Sequence, residues 1–145
     1  MTRYYLAYGS NLNTEQMKYR CPESKIVGVS EIKDYQLLFK GSENCSFLTI
    51  EKCEGETVPV GVWEVTDLDE KKLDTYEGYP SFYYKTDMEI ELNGEKVSAF
   101  VYIMHEDRRL GAPSKYYVQT CVEGYEDFGF DLDKLKKAIS ISAKS

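Results

Sequence analysis

The chain has 145 residues, 42% of them apolar, which suits one buried core and would be thin for two, so a single domain over residues 1–145 is expected. Its 18 Lys and Arg stand against 25 Asp and Glu, a formal charge of −7, and no basic run breaks that background. A nucleic-acid partner, which needs a cationic footprint, and an anionic membrane surface are therefore not expected.

Arg3 to Tyr8 reads as a short strand stopped by Gly9-Ser10-Asn11. It breaks before an apolar run of signal-peptide length, and Phe100 to Met104 is far too short to span a bilayer, so a cytoplasmic protein is expected. Asn13, with Gln16 three residues on, reads as the cap of a short helix ending before Pro22. Ile26 to Phe39 is rich in strand formers, and Phe47–Glu51 and Val58–Val65 read as two further strands. Gly61 inside the last of these points to a bulge, a bend or close approach by another segment. Thr66-Asp67-Leu68-Asp69-Glu70 opens a helix with a cap and acids in its first turn, and Gly78 stops it, with Pro80 beyond. Alternation in Met88–Leu92, then Asn93-Gly94, then alternation from Lys96 to Tyr102 predicts a two-residue hairpin. Helices follow over Ser114–Glu123 and Asp131–Ile141, the second with Leu132, Leu135, Ala138 and Ile139 on one face. The expected fold class is α+β, a strongly bent or barrel-like, mostly antiparallel sheet with flanking helices.

The chemistry-bearing residue types narrow the reaction. Cys21, Cys45, Cys53 and Cys121 contain no C-x-x-C pair and His105 is the single histidine, so neither a metal centre nor a thiol–imidazole pair is expected. Acid–base work falls to carboxylates or tyrosines. Three segments are candidates. Tyr8-Gly9-Ser10-Asn11-Leu12 carries a strand through a tight turn into a helix start, where backbone N–H groups can converge on an anion; a plain turn needing glycine is the alternative. Glu77 ends a helix at the negative end of its dipole, one turn after Asp74 and amid Tyr76, Tyr79, Phe82, Tyr83 and Tyr84. Each of these would raise its pKa towards that of a neutral-pH proton shuttle; the alternative is a solvated surface acid. Pro113-Ser114-Lys115-Tyr116-Tyr117 offers a tyrosine at a helix start, as site wall or as packing.

Together, the order Tyr8-Gly9-Ser10-Asn11-Leu12, Val60-Gly61-Val62-Trp63, Leu73-Asp74-x-x-Glu77-Gly78 and Pro113-Ser114-x-x-Tyr117, with Gly124 and Gly129, resembles the γ-glutamylcyclotransferase family, the AIG2-like group. The likeness runs from Tyr5 to about Ile139, and the Asn-Leu after Tyr-Gly-Ser is similar to the γ-glutamylcyclotransferase branch rather than the γ-glutamylamine or ChaC-type branches. The chain is shorter than that pattern between Phe39 and Thr57. The resemblance implies a cofactor-free, metal-free enzyme for a small-molecule γ-glutamyl substrate. In it the α-amino group of a γ-glutamyl unit attacks its own γ-carbonyl, giving 5-oxoproline and a released amine or amino acid. It implies Glu77 as acid/base, the loop Tyr8, Gly9, Ser10, Asn11 and Leu12 as holder of the γ-glutamyl moiety, and Tyr117 as a pocket wall. Two other readings stay open: a non-catalytic binder of the same fold, whose simplest signature would be loss of Glu77, and an enzyme taking a γ-glutamyl group from a larger partner.

Overall fold

The computed structural model describes residues 1–143. In chain order it runs β1 (Thr2–Ala7), a 3-10 turn (Ser10–Leu12), α1 (Thr14–Arg20), β2 (Lys25–Lys40), β3 (Phe47–Thr66), α2 (Asp67–Glu77), β4 (Tyr83–Leu92), β5 (Glu95–Met104), α3 (Lys115–Asp127) and α4 (Asp133–Ser142). The five strands make one sheet in the order β2-β3-β1-β5-β4. The central strand, β1, is antiparallel to β3 and meets β5 in parallel at Tyr5↔Phe100; all other pairings are antiparallel. The sheet bends far enough for its edge strands to touch, with Ser30 Oγ of β2 donating to Glu91 O of β4 at 2.6 Å, yet no ladder closes it. The expected mixed, barrel-like sheet is thus present as an open one.

Local chemistry accounts for the element ends. Asn13 Oδ1 accepts from Gln16 N at 3.1 Å and so starts α1. Thr66 and Asp69 form a reciprocal capping box on α2, at 3.1 and 3.2 Å. Gly78 ends α2 at φ 67°, its N–H reaching back to the carbonyls of Asp74 and Thr75. Asn93 and Gly94 both take positive φ, 52° and 85°, as a two-residue hairpin turn between right-twisted strands requires.

One expectation is corrected. Phe47–Glu51 and Val58–Val65 are not two strands but the ends of one, β3, which pairs with β2 along nearly its whole length. The polar stretch between them holds no apolar alternation, but a backbone ladder needs none. The register slips between Lys33 and Tyr35, where Asp34 takes φ 64° and its Oδ1 accepts from Gly55 N at 3.0 Å, so the extra residues of β3 are absorbed as a bulge.

The core includes fully buried Leu6, Phe39, Ile50, Val60, Val62 and Phe100, and covers both faces of the central strand β1, since Leu6 pairs with Val62 and the next residue back, Tyr5, with Phe100. Leu12 is pressed into it from the turn after β1. A Cβ on Gly61 would stand 2.8 Å from Leu12 Cδ2 and 2.5 Å from Phe128 Cε2, and one on Gly124 would stand 2.6 Å from Asn13 N. These two glycines let α3 and the turn lie directly on each other and on β3. Gly61 is therefore a close-approach residue, one of the three roles its place in a strand left open.

Candidate active site

The site forms where β1 ends, α2 ends and α3 begins. The 3-10 turn closes with Leu12 N–H on Gly9 O and Asn13 N–H on Ser10 O, both at 3.0 Å. The N–H groups of Ser10 and Asn11 precede these and stand outside that ladder. Trp63 Nε1 of β3 donates to Asn11 O at 3.1 Å and pins the turn from below. Tyr125 OH of α3 donates to Tyr8 O at 3.2 Å and pins it from the other side.

Beside the turn lies a small cavity of about 30 Å³, lined by Tyr5, Tyr8, Gly9, Ser10, Asn11, Leu48, Glu77, Tyr83, Tyr102 and Tyr117. Glu77 keeps some surface as a residue, but its carboxyl turns inward. Burial lifts its pKa from 4.5 to about 7, against a smaller opposing pull from the Arg20 guanidinium. Its hydrogen-bond donor is neutral: Asn11 Nδ2 faces Glu77 Oε1 at 3.5 Å while donating to Tyr5 OH at 2.8 Å. The raised pKa matches the expectation from sequence, but the cause differs. Repulsion from Asp74 plays no part, because Asp74 points out of the cavity, accepting from Tyr102 OH at 2.6 Å and pairing with Lys85 at 2.9 Å.

Five tyrosines enclose that carboxyl. Tyr8 OH donates to Tyr102 O, and Tyr83 OH donates to Leu48 O, each at 2.7 Å. Tyr117 OH accepts from Leu48 N at 3.1 Å. Burial pushes all five phenols above their ordinary range, so near neutral pH they are hydrogen-bonding walls and Glu77 is the cavity group that titrates.

The structure thus brings Tyr8, Gly9, Ser10, Asn11, Glu77 and Tyr117 to one cavity. Leu12 is not in its lining; its side chain is core, fully buried against Gly61 and Gly124. Tyr76 caps the site from outside, its OH 3.2 Å from Ser10 Oγ, whereas Tyr84 turns away to bond Glu106. Sequence reasoning missed Tyr5 and Tyr102. The signal was the two-residue period: Tyr5 pairs with Phe100, and Tyr102 sits two residues further along β5 on the same face. Leu48 could not have been found that way, since it contributes only its backbone groups to the tyrosine hydroxyls. Among the described residues no group of three or more His, Cys, Asp or Glu is placed to hold a metal ion. Cys21 and Cys121 are buried, and their thiols are pushed up to about 11 and about 12 by that burial. No helix of the structure is long and apolar enough to cross a membrane.

These features can be set beside known proteins. The family model described as "Gamma-glutamyl cyclotransferase, AIG2-like" matches residues 5–119. The chain is 30% identical to a bovine γ-glutamylcyclotransferase over 147 aligned residues, covering 94% of this chain and 77% of the relative. It is 27% identical to the human γ-glutamylcyclotransferase with the same coverage. A solved structure of a γ-glutamyl cyclotransferase superposes with a TM-score of 0.84 at 24% identity, covering 95% of this chain and 86% of that one. With a tyrosine-walled carboxyl beside a Gly-Ser-Asn turn, the same mixed fold and a family match over most of its length, the chain belongs to the γ-glutamyl cyclotransferase, AIG2-like family of enzymes.

Proposed function

We propose that this protein closes the γ-glutamyl unit of a small conjugate to 5-oxoproline with release of the amine or amino acid, and that Glu77 is the acid/base of the reaction. The observation that carries the proposal is the enclosed Glu77 carboxyl, held at about 7 by burial, bonded to the neutral Asn11 amide and, among the described residues, in no ion pair.

Nucleophile and electrophile are in one molecule, so the protein's task is to fold the substrate back on itself and to move protons. The α-ammonium must lose a proton before its nitrogen can attack the γ-carbonyl. Glu77, as carboxylate, takes that proton and the freed nitrogen attacks, forming the C–N bond of the lactam; the attacking nitrogen's second surplus proton and the one on Glu77 both pass to the departing nitrogen as its bond to the γ-carbon breaks, so the amine leaves as an ammonium and Glu77 ends as a carboxylate again. A carboxyl near 7 holds both forms at neutral pH, which a solvated glutamate near 4.5 would not. The N–H groups of Ser10 and Asn11 are the donors available for the substrate carboxylate or the developing oxyanion. Asn11 Nδ2, between Tyr5 OH and Glu77, favours the charged form of the carboxyl as the proton leaves it. Tyr117 and Gly9 meet across the cavity, where a Cβ on Gly9 would come within 3.3 Å of Tyr117 OH. At about 30 Å³ the cavity has room for about one water, so the γ-glutamyl unit enters by displacing a lining side chain.

The test is incubation with a panel of γ-glutamyl amino acids and amines, scored for 5-oxoproline, in parallel with Glu77→Gln. Release by the wild type and its loss in the variant is the expected result. Ligand binding without turnover would leave the non-catalytic binder standing instead.

A further inference from the structure

Arg20 is half-buried at the end of α1, and the acceptors it meets are neutral. It donates to Asn11 Oδ1 and, at 2.9 Å, to Gln16 Oε1. No ion pair among the described residues includes it, in a chain with 25 Asp and Glu. Its guanidinium carbon stands 3.5 Å from the centre of the Tyr76 ring, and Tyr76 OH is 3.2 Å from Ser10 Oγ. The stack thus fixes Arg20 against the turn of α2 that carries Glu77. An arginine held so firmly to amides, with carboxylates plentiful, supplies a directed donor rather than a counter-charge.

That donor decides which way Asn11 faces. A side-chain amide has an accepting end and a donating end, whereas a guanidinium only donates, so Oδ1 is the end that can meet it. With Oδ1 held there, Nδ2 is turned to the cavity, where it donates to Tyr5 OH at 2.8 Å and faces Glu77 Oε1 at 3.5 Å. Turned over, the amide would set its oxygen against the carboxylate and disfavour the form that takes the substrate's proton. Asn11 is 3% exposed, so water does not orient it. The other groups around the carboxyl are the phenols of Tyr5 and Tyr8 on β1, Tyr83 on β4, Tyr102 on β5 and Tyr117 on α3, and Asp74 of its own helix points outward. Arg20 is the charged group that acts on Glu77.

We propose that Arg20 is a positioning residue for the reaction: by holding Asn11 Oδ1 it keeps the amide donor of Asn11 on Glu77, so that the carboxylate is available as the base. Its catalytic meaning rests on the cyclisation proposed above. The test titrates Glu77 in the substrate-free protein by NMR of carboxyl-labelled glutamate, with Glu77→Gln assigning the resonance, and records the pH profile of kcat/KM alongside. In Arg20→Met, which keeps the stem and loses the donors, Glu77 is expected to titrate about one unit higher, tenfold in proton affinity. The rising limb should move by the same amount, with the rate recovering above it. Arg20→Lys, a cation without the fork, should fall between. Combined with Asn11→Leu, Arg20→Met should add little to the shift that Asn11→Leu makes alone. An unchanged titration in Arg20→Met overturns the assignment. So does an equal Arg20→Met shift with and without Asn11→Leu, which would make Arg20 a charge acting on Glu77 directly. If Arg20→Met does not fold, Arg20→Lys decides, and an unchanged titration there overturns the assignment as well. A titration that moves as stated while no γ-glutamyl conjugate yields 5-oxoproline would sink the cyclisation and leave the tie between Arg20 and Glu77 standing.

Discussion

Asp74 and Glu77 lie one turn apart at the end of α2, both at the end of the helix where the dipole disfavours anions. Asp74 is drawn outward into a charged chain. Lys85 stands between it and Glu70, at 2.9 and 2.7 Å, and Arg3 joins Glu70 and Asp87 at 2.8 and 2.9 Å. Glu77 is turned inward among tyrosines with one neutral amide at 3.5 Å. The same residue chemistry on the same helix thus meets two fates: a carboxylate paired directly with cations is held in an ion-pair chain, and one buried without an ion pair among the described residues has its pKa lifted to about 7 despite the more distant pull of Arg20. What separates them is the partner offered by the neighbouring strand, Lys85 of β4 in one case and the phenols of β1, β4 and β5 in the other.

The sharpest way to break this contrast is to neutralise each carboxyl in turn. Glu77→Gln should lower kcat by about 10²–10⁴-fold, the usual cost of losing a general acid/base, with the melting temperature retained. Asp74→Asn should cost about 1 kcal/mol of stability or less, since Lys85 keeps Glu70 and Tyr102 keeps an acceptor, and activity should stay within a few-fold. Comparable loss of turnover in the two variants, measured as 5-oxoproline formation, would erase the distinction.

Next in size is Gly9→Ala. The new Cβ would crowd both Leu48 Cδ1 and Tyr117 OH at 3.3 Å, tighter than ordinary contact. We expect kcat/KM to fall by about 10-fold, roughly the effect of losing one well-placed hydrogen bond, with a smaller shift in melting temperature. Equal loss of melting temperature and affinity would mark the turn as structural only.

The pH dependence of stability sharpens the contrast further. Glu77 binds its proton more tightly folded, near 7, than an ordinary glutamate at 4.5 does. Its contribution is therefore complete below about pH 4.5 and is lost as pH rises through 7. Urea unfolding of the wild type should show that decline across this window, and Glu77→Gln should flatten it. The same group sets the rising limb of kcat/KM near 7 if the carboxylate is the base. The smallest effect is expected from chelators and from alkylation of exposed Cys45, each of which should leave the rate within error of the untreated protein.

The elements defined by local signals were legible in the sequence. Thr66 with Asp69, Gly78, Asn13 with Gln16, and Asn93-Gly94 each solve a backbone problem within a few residues, so their pattern is written in the chain. The join of the two halves of β3 was not, because the bulge at Asp34 and Gly55 is stabilised by a partner strand 21 residues away. The site divides in the same way. Glu77 and the Gly9 turn carry local tension that marks them, whereas Tyr5, Tyr102 and Leu48 reach the cavity only through strand pairing. Leu12 shows the converse: it lies inside the motif but serves the core.

The indole that pins the turn has a use beyond support. Trp63 is the one tryptophan of the chain, 4% exposed, with its N–H on the carbonyl of Asn11. All long-wavelength emission therefore comes from a single fluorophore hydrogen-bonded to the residue that faces Glu77. Excitation near 295 nm, where tyrosine is silent, makes that residue's carbonyl an optical readout. Occupation of the neighbouring cavity should shift or quench the emission in proportion to saturation, and Trp63→Phe should remove the signal.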